Sequence, residues 1–210
     1  MIESNVFRIF MEDSCDEAVV IANGYLSRRA FHCKDRNSHF YMIGSMGLAP
    51  SIALGVALAQ PRRRVVTIDG DGNLLMALGA LTMIGHLRPP NLMHLVVDNE
   101  AYASTGGQRS ISGSIDLPEI ARACGYRIAE CVLDETLLRV QLKQMRNTSG
   151  PSFLQIKVAC ASAPAARVSR APQDIAQAFR QFMKLEPFAS VATRAPEAQS
   201  CSPGFRSPRS

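Results

Sequence analysis

Val65-Val66-Thr67-Ile68-Asp69-Gly70-Asp71-Gly72-Asn73 is the stretch on which the fold turns. Its first five residues are mostly β-branched and do not alternate between polar and apolar, so they read as a strand buried on both faces. Two glycines then break the strand where a helix can begin. Upstream, Ala18–Ala22 repeats the pattern and leaves through Asn23-Gly24; Phe40–Ile43 repeats it again, closed by Gly44-Ser45-Met46-Gly47. Downstream, Leu92–Val97 ends at Asp98-Asn99, and two more strands are expected at Tyr126–Val132 and Phe153–Val158.

Helices are expected between and beyond these strands. They fall around Ser27–Cys33, over residues 48–59, from Leu74 to Leu87, at Leu117–Cys124, at Glu135–Met145 and at Gln173–Met183. The helix over 48–59 is almost wholly apolar and should be buried all round. Asn73 is suited to cap the Leu74 helix, and Pro89-Pro90 to stop it. Strands alternating with helices give an α/β fold of three layers, a parallel sheet with helices on both faces. Residues 1–17 read as a solvated N-terminal segment carrying Glu12, Asp13, Asp16 and Glu17. Residues 18–160 read as the domain proper, 161–189 as an extension with one helix, and 190–210 as a disordered tail.

Composition narrows the class. With 210 residues, 47% apolar and 20% charged, the chain supports one full core and is neither disordered nor collagen-like. The net charge of +5 sits mainly beyond residue 159, where seven Lys/Arg face three Asp/Glu. A nucleic-acid surface needs a basic face with interleaved aromatics, and Trp is absent. No apolar run reaches the roughly 20 residues of a membrane span, and Met1-Ile-Glu-Ser-Asn-Val does not open as a secretory signal. The six cysteines show no zinc-type spacing and read as reduced and mostly buried. These features describe a cytoplasmic protein that binds neither nucleic acid nor membrane.

In parallel sheets, ligands bind at the carboxyl ends of the strands. Glycines there let backbone N–H groups approach an anion, and Asp71 between two of them suits a hard cation that also holds a phosphate. Asn99, 28 residues after Asp71, returns to the same sheet edge and offers a second oxygen.

Gly70-Asp71-Gly72 followed at this distance by Asp98-Asn99 and Tyr102 resembles the signature of thiamine-diphosphate enzymes, which usually ends in two asparagines. Phe40-Tyr41-Met42-Ile43-Gly44-Ser45-Met46-Gly47 and Asp98-Asn99-Glu100-Ala101-Tyr102-Ala103-Ser104-Thr105-Gly106-Gly107-Gln108 narrow the resemblance to the phosphonopyruvate and sulfopyruvate decarboxylases. The likeness spans about residues 18–160 and implies the domain that binds the diphosphate end of the cofactor. It implies Mg²⁺ ligation by Asp71, Asn99 and the Ala101 carbonyl. Gly70, Gly72, Asn73 and the turn Asn23-Gly24-Tyr25 would hold the diphosphate, with Tyr102 beside them. Gly44, Ser45 and Met46 would hold the pyrimidine, Gly44 through its carbonyl and Met46 as the wedge that bends the cofactor. Ser104 and Thr105 would lie over the thiazolium as catalytic residues.

The implied reaction is decarboxylation of a three-carbon 2-oxo acid bearing a second anionic group, to the aldehyde. Arg28, Arg29 and Arg109 are candidate cations for that group, with a cation on the partner domain as the alternative. The family's activating glutamate sits on a separate pyrimidine-binding domain, for which 17 residues leave no room. The expected partner is therefore a second subunit in a hetero-oligomer. Acetolactate-type carboligation, oxo-acid oxidoreduction and a non-catalytic cofactor-binding subunit are the alternatives.

Overall fold

The computed structural model describes residues 1–14, 16–160 and 165–184. Six parallel strands form the sheet: β1 (Ala18–Ile21), β2 (His39–Tyr41), β3 (Val65–Gly70), β4 (Leu92–Asp98), β7 (Ile128–Val132) and β8 (Ser152–Lys157). Their order across the sheet is β2-β1-β3-β4-β8-β7. Strands β1 and β4 are buried along their whole length, β1 as an unbroken apolar run and β4 with His94 and Asp98 enclosed among its apolar residues.

Helices α1 (Glu3–Asp13), α2 (Tyr25–Cys33) and α7 (Glu135–Asn147) pack together on one face. On the other lie α3 (Ala49–Ala59), α5 (Ala80–Leu87) and α6 (Leu117–Cys124). Gly85 makes the α5–α6 approach close: a Cβ there would stand 1.8 Å from the Cys124 carbonyl oxygen. The expected C-terminal helix is present as α8 (Pro172–Met183); it lies along β2 and buries Ile175, Phe179 and Met183. The expected tail, 190–210, lies outside the described residues.

Five expectations are corrected. The N-terminal segment is solvated only in part: Glu12, Asp13 and Asp16 are exposed as expected, but α1 buries Val6, Phe7, Phe10 and Met11 on one stripe. Within the same segment, Glu17 is buried, its carboxylate 3.0 Å from Arg146 Nε. Helix α3 is not buried all round. Ala49, Ala53, Leu54 and Ala57 face the sheet, while Leu58 is half exposed and a Cβ on Gly55 would meet open space.

The single helix expected from Leu74 to Leu87 is two: α4 (Asp71–Met76) and α5. It breaks at Ala77, whose φ/ψ of −137°/43° leaves the helical basin. There Gly47 comes up against it, with room for no more than a Cβ 3.0 Å from that of Ala77. Asn73 accordingly lies inside α4 and is not its cap. Among the described cysteines, Cys33, Cys131 and Cys160 are exposed and Cys124 half-buried, so the thiols are free but not sequestered.

Candidate active site

The strand ends β1, β3 and β4 open onto one pocket. It is lined by Asn23, Tyr25, Met46, Gly70, Asp71, Gly72, Asn73, Asn99, Ala101, Tyr102 and Ser104 among the residues singled out from the sequence, and by Glu3, Leu26, Val97 and Ala103 besides. The two loops carrying Asp71 and Asn99 thus meet. Gly24, Gly44, Ser45 and Thr105 stand outside this lining: Gly24 lines a second cavity, Gly44 and Ser45 a third, and Thr105 is exposed.

Local chemistry fixes each part. The Asp69 carboxylate, fully buried at the end of β3, accepts from the Gly70 N–H at 2.9 Å and from the Asn73 amide. The Asn73 oxygen in turn accepts from the Gly47 N–H at 2.7 Å. One buried amide therefore ties the β3–α4 junction to the turn that carries Met46. Beside that turn, Ser45 takes a left-handed φ of 59°, a conformation that side chains adopt only when their surroundings enforce it.

Gly72 touches Tyr102 so closely that a Cβ would stand 2.5 Å from the ring. Around Tyr102 the Gly/Ser-rich segment forms a short hairpin of β5 (Ala101–Tyr102) and β6 (Gln108–Arg109), then a 3₁₀ turn at Ser112–Ser114. That hairpin swings Ser104 back over the β1–α2 turn, its hydroxyl 3.1 Å from where a Gly24 Cβ would lie.

Asp71 is buried, and burial pushes its carboxyl above the usual range. The Ser110 hydroxyl donates to it, as does Ser112 at 3.3 Å. The Asn99 oxygen accepts the Ala101 N–H at 3.0 Å, folding the loop into an Asx turn. Among the described residues no three His, Cys, Asp or Glu side chains gather as a metal cluster. A set of one carboxylate, one amide and one backbone carbonyl is instead an all-oxygen set that leaves the remaining positions to a ligand. The Asn23 side-chain oxygen is buried beside the pocket without a partner, and as an acceptor it calls for a donor or a cation. The residues present thus fit an anionic cofactor with a hard cation.

Sequence reasoning missed what surrounds Asp98. Its carboxylate is fully buried and accepts from Gln155 at 2.6 Å, Ser112 at 2.8 Å, the Glu100 N–H at 2.9 Å and Lys157 at 2.9 Å. Burial works against the charge, yet Lys157, Gln155 and Ser112 together hold the carboxyl below its ordinary range. Lys157 also reaches Glu100 at 2.8 Å, and Ser112 touches both Asp71 and Asp98. The only signal in sequence was the strand-end position of Lys157, which pairing places opposite Asp98. Glu3, also missed, is a buried carboxyl facing Arg29 at 2.8 Å, and burial raises its pKa.

A parallel sheet with a pocket of this composition at the ends of β1, β3 and β4 defines a cofactor-binding domain. The family "Thiamine pyrophosphate enzyme, C-terminal TPP binding domain" matches residues 22–156, and the chain belongs to it. Thiamine diphosphate is therefore its cofactor class.

The chain is similar to a phosphonopyruvate decarboxylase of Streptomyces viridochromogenes, 42% identical over 89% of this chain and 47% of that one. It is also similar to the sulfopyruvate decarboxylase subunit beta of Methanococcus maripaludis, 37% identical over 85% of this chain and 96% of that subunit. The chain spans about half the length of the phosphonopyruvate decarboxylases it matches. Benzoylformate decarboxylase from Polynucleobacter necessarius shares the fold, with a TM-score of 0.67 at 17% identity over 77% of this chain and 34% of that one.

Proposed function

We propose that this chain is the diphosphate-binding part of a thiamine-diphosphate-dependent decarboxylase acting on phosphonopyruvate or sulfopyruvate. The observation that carries the reading is the meeting of the Asp71 and Asn99 loops around one pocket at the glycine-rich strand ends. Bound cofactor supplies the electron sink into which a 2-oxo acid loses CO₂.

Asp71, the Asn99 oxygen and the Ala101 carbonyl hold Mg²⁺, and the backbone of Gly72 and Asn73 donates to the diphosphate. Backbone donation is what remains to Asn73, since its side chain is committed to Asp69 and Gly47. The turn at Asn23-Gly24-Tyr25 completes the anion site. Gly44 and Met46 orient the pyrimidine, with Ser45 holding the turn between them, while Tyr102 backs Gly72. Ser104 and Thr105 close over the reacting carbon and exclude water. Residues 18–160 form the cofactor domain, with 161–189 as an extension.

The activating glutamate comes from a pyrimidine-binding domain on a partner subunit; the near full-length match to a protein named as subunit beta supports that division. Free thiols and the lack of any described helix long and apolar enough to cross a membrane agree with a cytoplasmic enzyme.

Calorimetric titration of thiamine diphosphate with Mg²⁺ and with EDTA tests the cofactor site, and Mg²⁺-dependent binding is expected. Co-expression with a pyrimidine-binding subunit should then yield aldehyde and CO₂ from one of the two acids. Binding indifferent to Mg²⁺, or a fully assembled pair inert on both acids, would overturn the reading.

A further inference from the structure

The β1–α2 turn has two sides. Asn23, Tyr25 and Leu26 face the cofactor pocket, whereas Gly24, Ser27 and Arg28 line a separate cavity of about 410 Å³. Its opposite wall is the stretch leading into α8, with Arg167, Val168 and Arg170. Three arginines line this cavity and no carboxylate does.

The three are not equivalent. Arg170 is neutralised by Asp35 at 2.7 Å and donates to Asn37 at 3.2 Å. The Arg28 guanidinium lies 5.3 Å from the centre of the Tyr25 ring, which positions it without cancelling its charge. Neither Arg28 nor Arg167 is paired with a carboxylate among the described residues. The stretch that carries Arg167 is held on both sides. The His32 ring nitrogen meets the Ala166 carbonyl at 3.2 Å, Val168 packs on the core, and Arg170 is tied to α2's exit by Asp35.

The other two arginines considered from sequence are accounted for elsewhere. Arg29 faces Glu3, and Arg109 is 89% exposed with Glu100 at 4.0 Å.

We propose that this cavity is the subsite for the second acid group of the substrate, a phosphonate or sulfonate, bound by Arg28 and Arg167. The proposal rests on the decarboxylase reading above. Gly24 separates the cavity from the cofactor pocket by a single residue of turn, and Ser104 lies directly over it. An acid whose keto carbon sits under Ser104 therefore extends its far end toward the arginines. Guanidinium forks match the oxygens of such groups in pairs, and they stay charged at any working pH. A simple 2-oxo acid without the second charge leaves both arginines unsatisfied, which makes this subsite the element that selects for a doubly anionic substrate.

The test uses the full chain with phosphonoacetate, ethanesulfonate and acetate as probes, measured by calorimetry. Thiamine diphosphate with Mg²⁺ is titrated on the same samples. Wild type should bind the first two and not acetate, the tighter one naming the substrate class. Arg28→Met and Arg167→Met should each weaken binding at least tenfold, and Arg109→Met should leave it within twofold. Arg167→Met, at an exposed position that endangers no core, should keep cofactor affinity unchanged. Phosphonoacetate and ethanesulfonate affinities that are absent in wild type, or unaltered in both variants while the cofactor still binds, overturn this inference alone. Arginine-dependent anion binding in a chain that takes no cofactor overturns it together with the decarboxylase reading.

Discussion

Lys157 Nζ stands 2.9 Å from the buried Asp98 carboxylate, directly across the β4–β8 pairing. A charge in place of a neutral amide, one residue before Asn99, is tolerated because the neighbouring strand delivers its counter-charge to the same strand end. The pair then anchors Glu100, whose φ of 56° turns the chain toward the pocket.

Removing one member of such a pair strands the other. Lys157→Met should therefore cost roughly 2–4 kcal/mol of stability, less than a fully buried pair because the lysine is a quarter exposed. Adding Asp98→Asn should restore most of that loss, leaving a neutral site. Urea melts of the single and double variants measure this directly; additive losses would mean that the two side chains act independently.

Asp71→Ala should abolish Mg²⁺-linked cofactor retention and leave the fold intact. The carboxylate sits at the pocket wall, and burial already disfavours its charge, so the substitution relieves a cost instead of opening a core. Unchanged circular dichroism with at least a hundredfold weaker cofactor binding is the expected pair of results. Retained Mg²⁺ dependence would remove Asp71 from the ligand set.

Gly85→Ala should destabilise by about 2–4 kcal/mol, since the added methyl overlaps the Cys124 carbonyl and drives α5 from α6. Gly55→Ala, which meets open space on α3, should be neutral or stabilising by up to about 1 kcal/mol. Paired thermal melts would expose an error if the two variants behaved alike.

Acid sensitivity should begin near pH 6.5. Burial, aided by Arg36, pushes the His39 ring down to about 3, whereas the unfolded chain protonates near 6.5. Between those values the unfolded state binds more protons, so stability falls with pH by at most about 1.4 kcal/mol per unit. The raised carboxyls of Glu3 and Asp71 act oppositely, but only near the carboxylate range. His39→Gln should flatten the slope between pH 6.5 and 5; an unaltered slope would place its origin elsewhere.

Most of the sheet was legible because β3 and β4 are mostly apolar, non-alternating runs that stop at glycine or at Asp98-Asn99. The juxtaposition of Asp71 and Asn99 followed from the same logic, since a parallel sheet returns successive strand ends to one edge. What escaped was set by contacts across the chain. The break at Ala77 lies against Gly47, thirty residues earlier, and the helix at Glu3–Asp13 packs on α2 and α7. The Asp98–Lys157 pair links residues 59 apart, a distance at which single-residue spacing carries no signal. Arg167 joined Arg28 only through the placement of the stretch that precedes α8.

Helix α8 lies along β2, the outermost strand on its side of the sheet. A chain cut before Pro172 would bare the apolar surface on which Ile175, Phe179 and Met183 pack, Phe40 of β2 included, beside a sheet edge that can pair with another molecule. Such a truncation should express into inclusion bodies, so the segment after the cofactor domain governs whether the protein remains in solution at all.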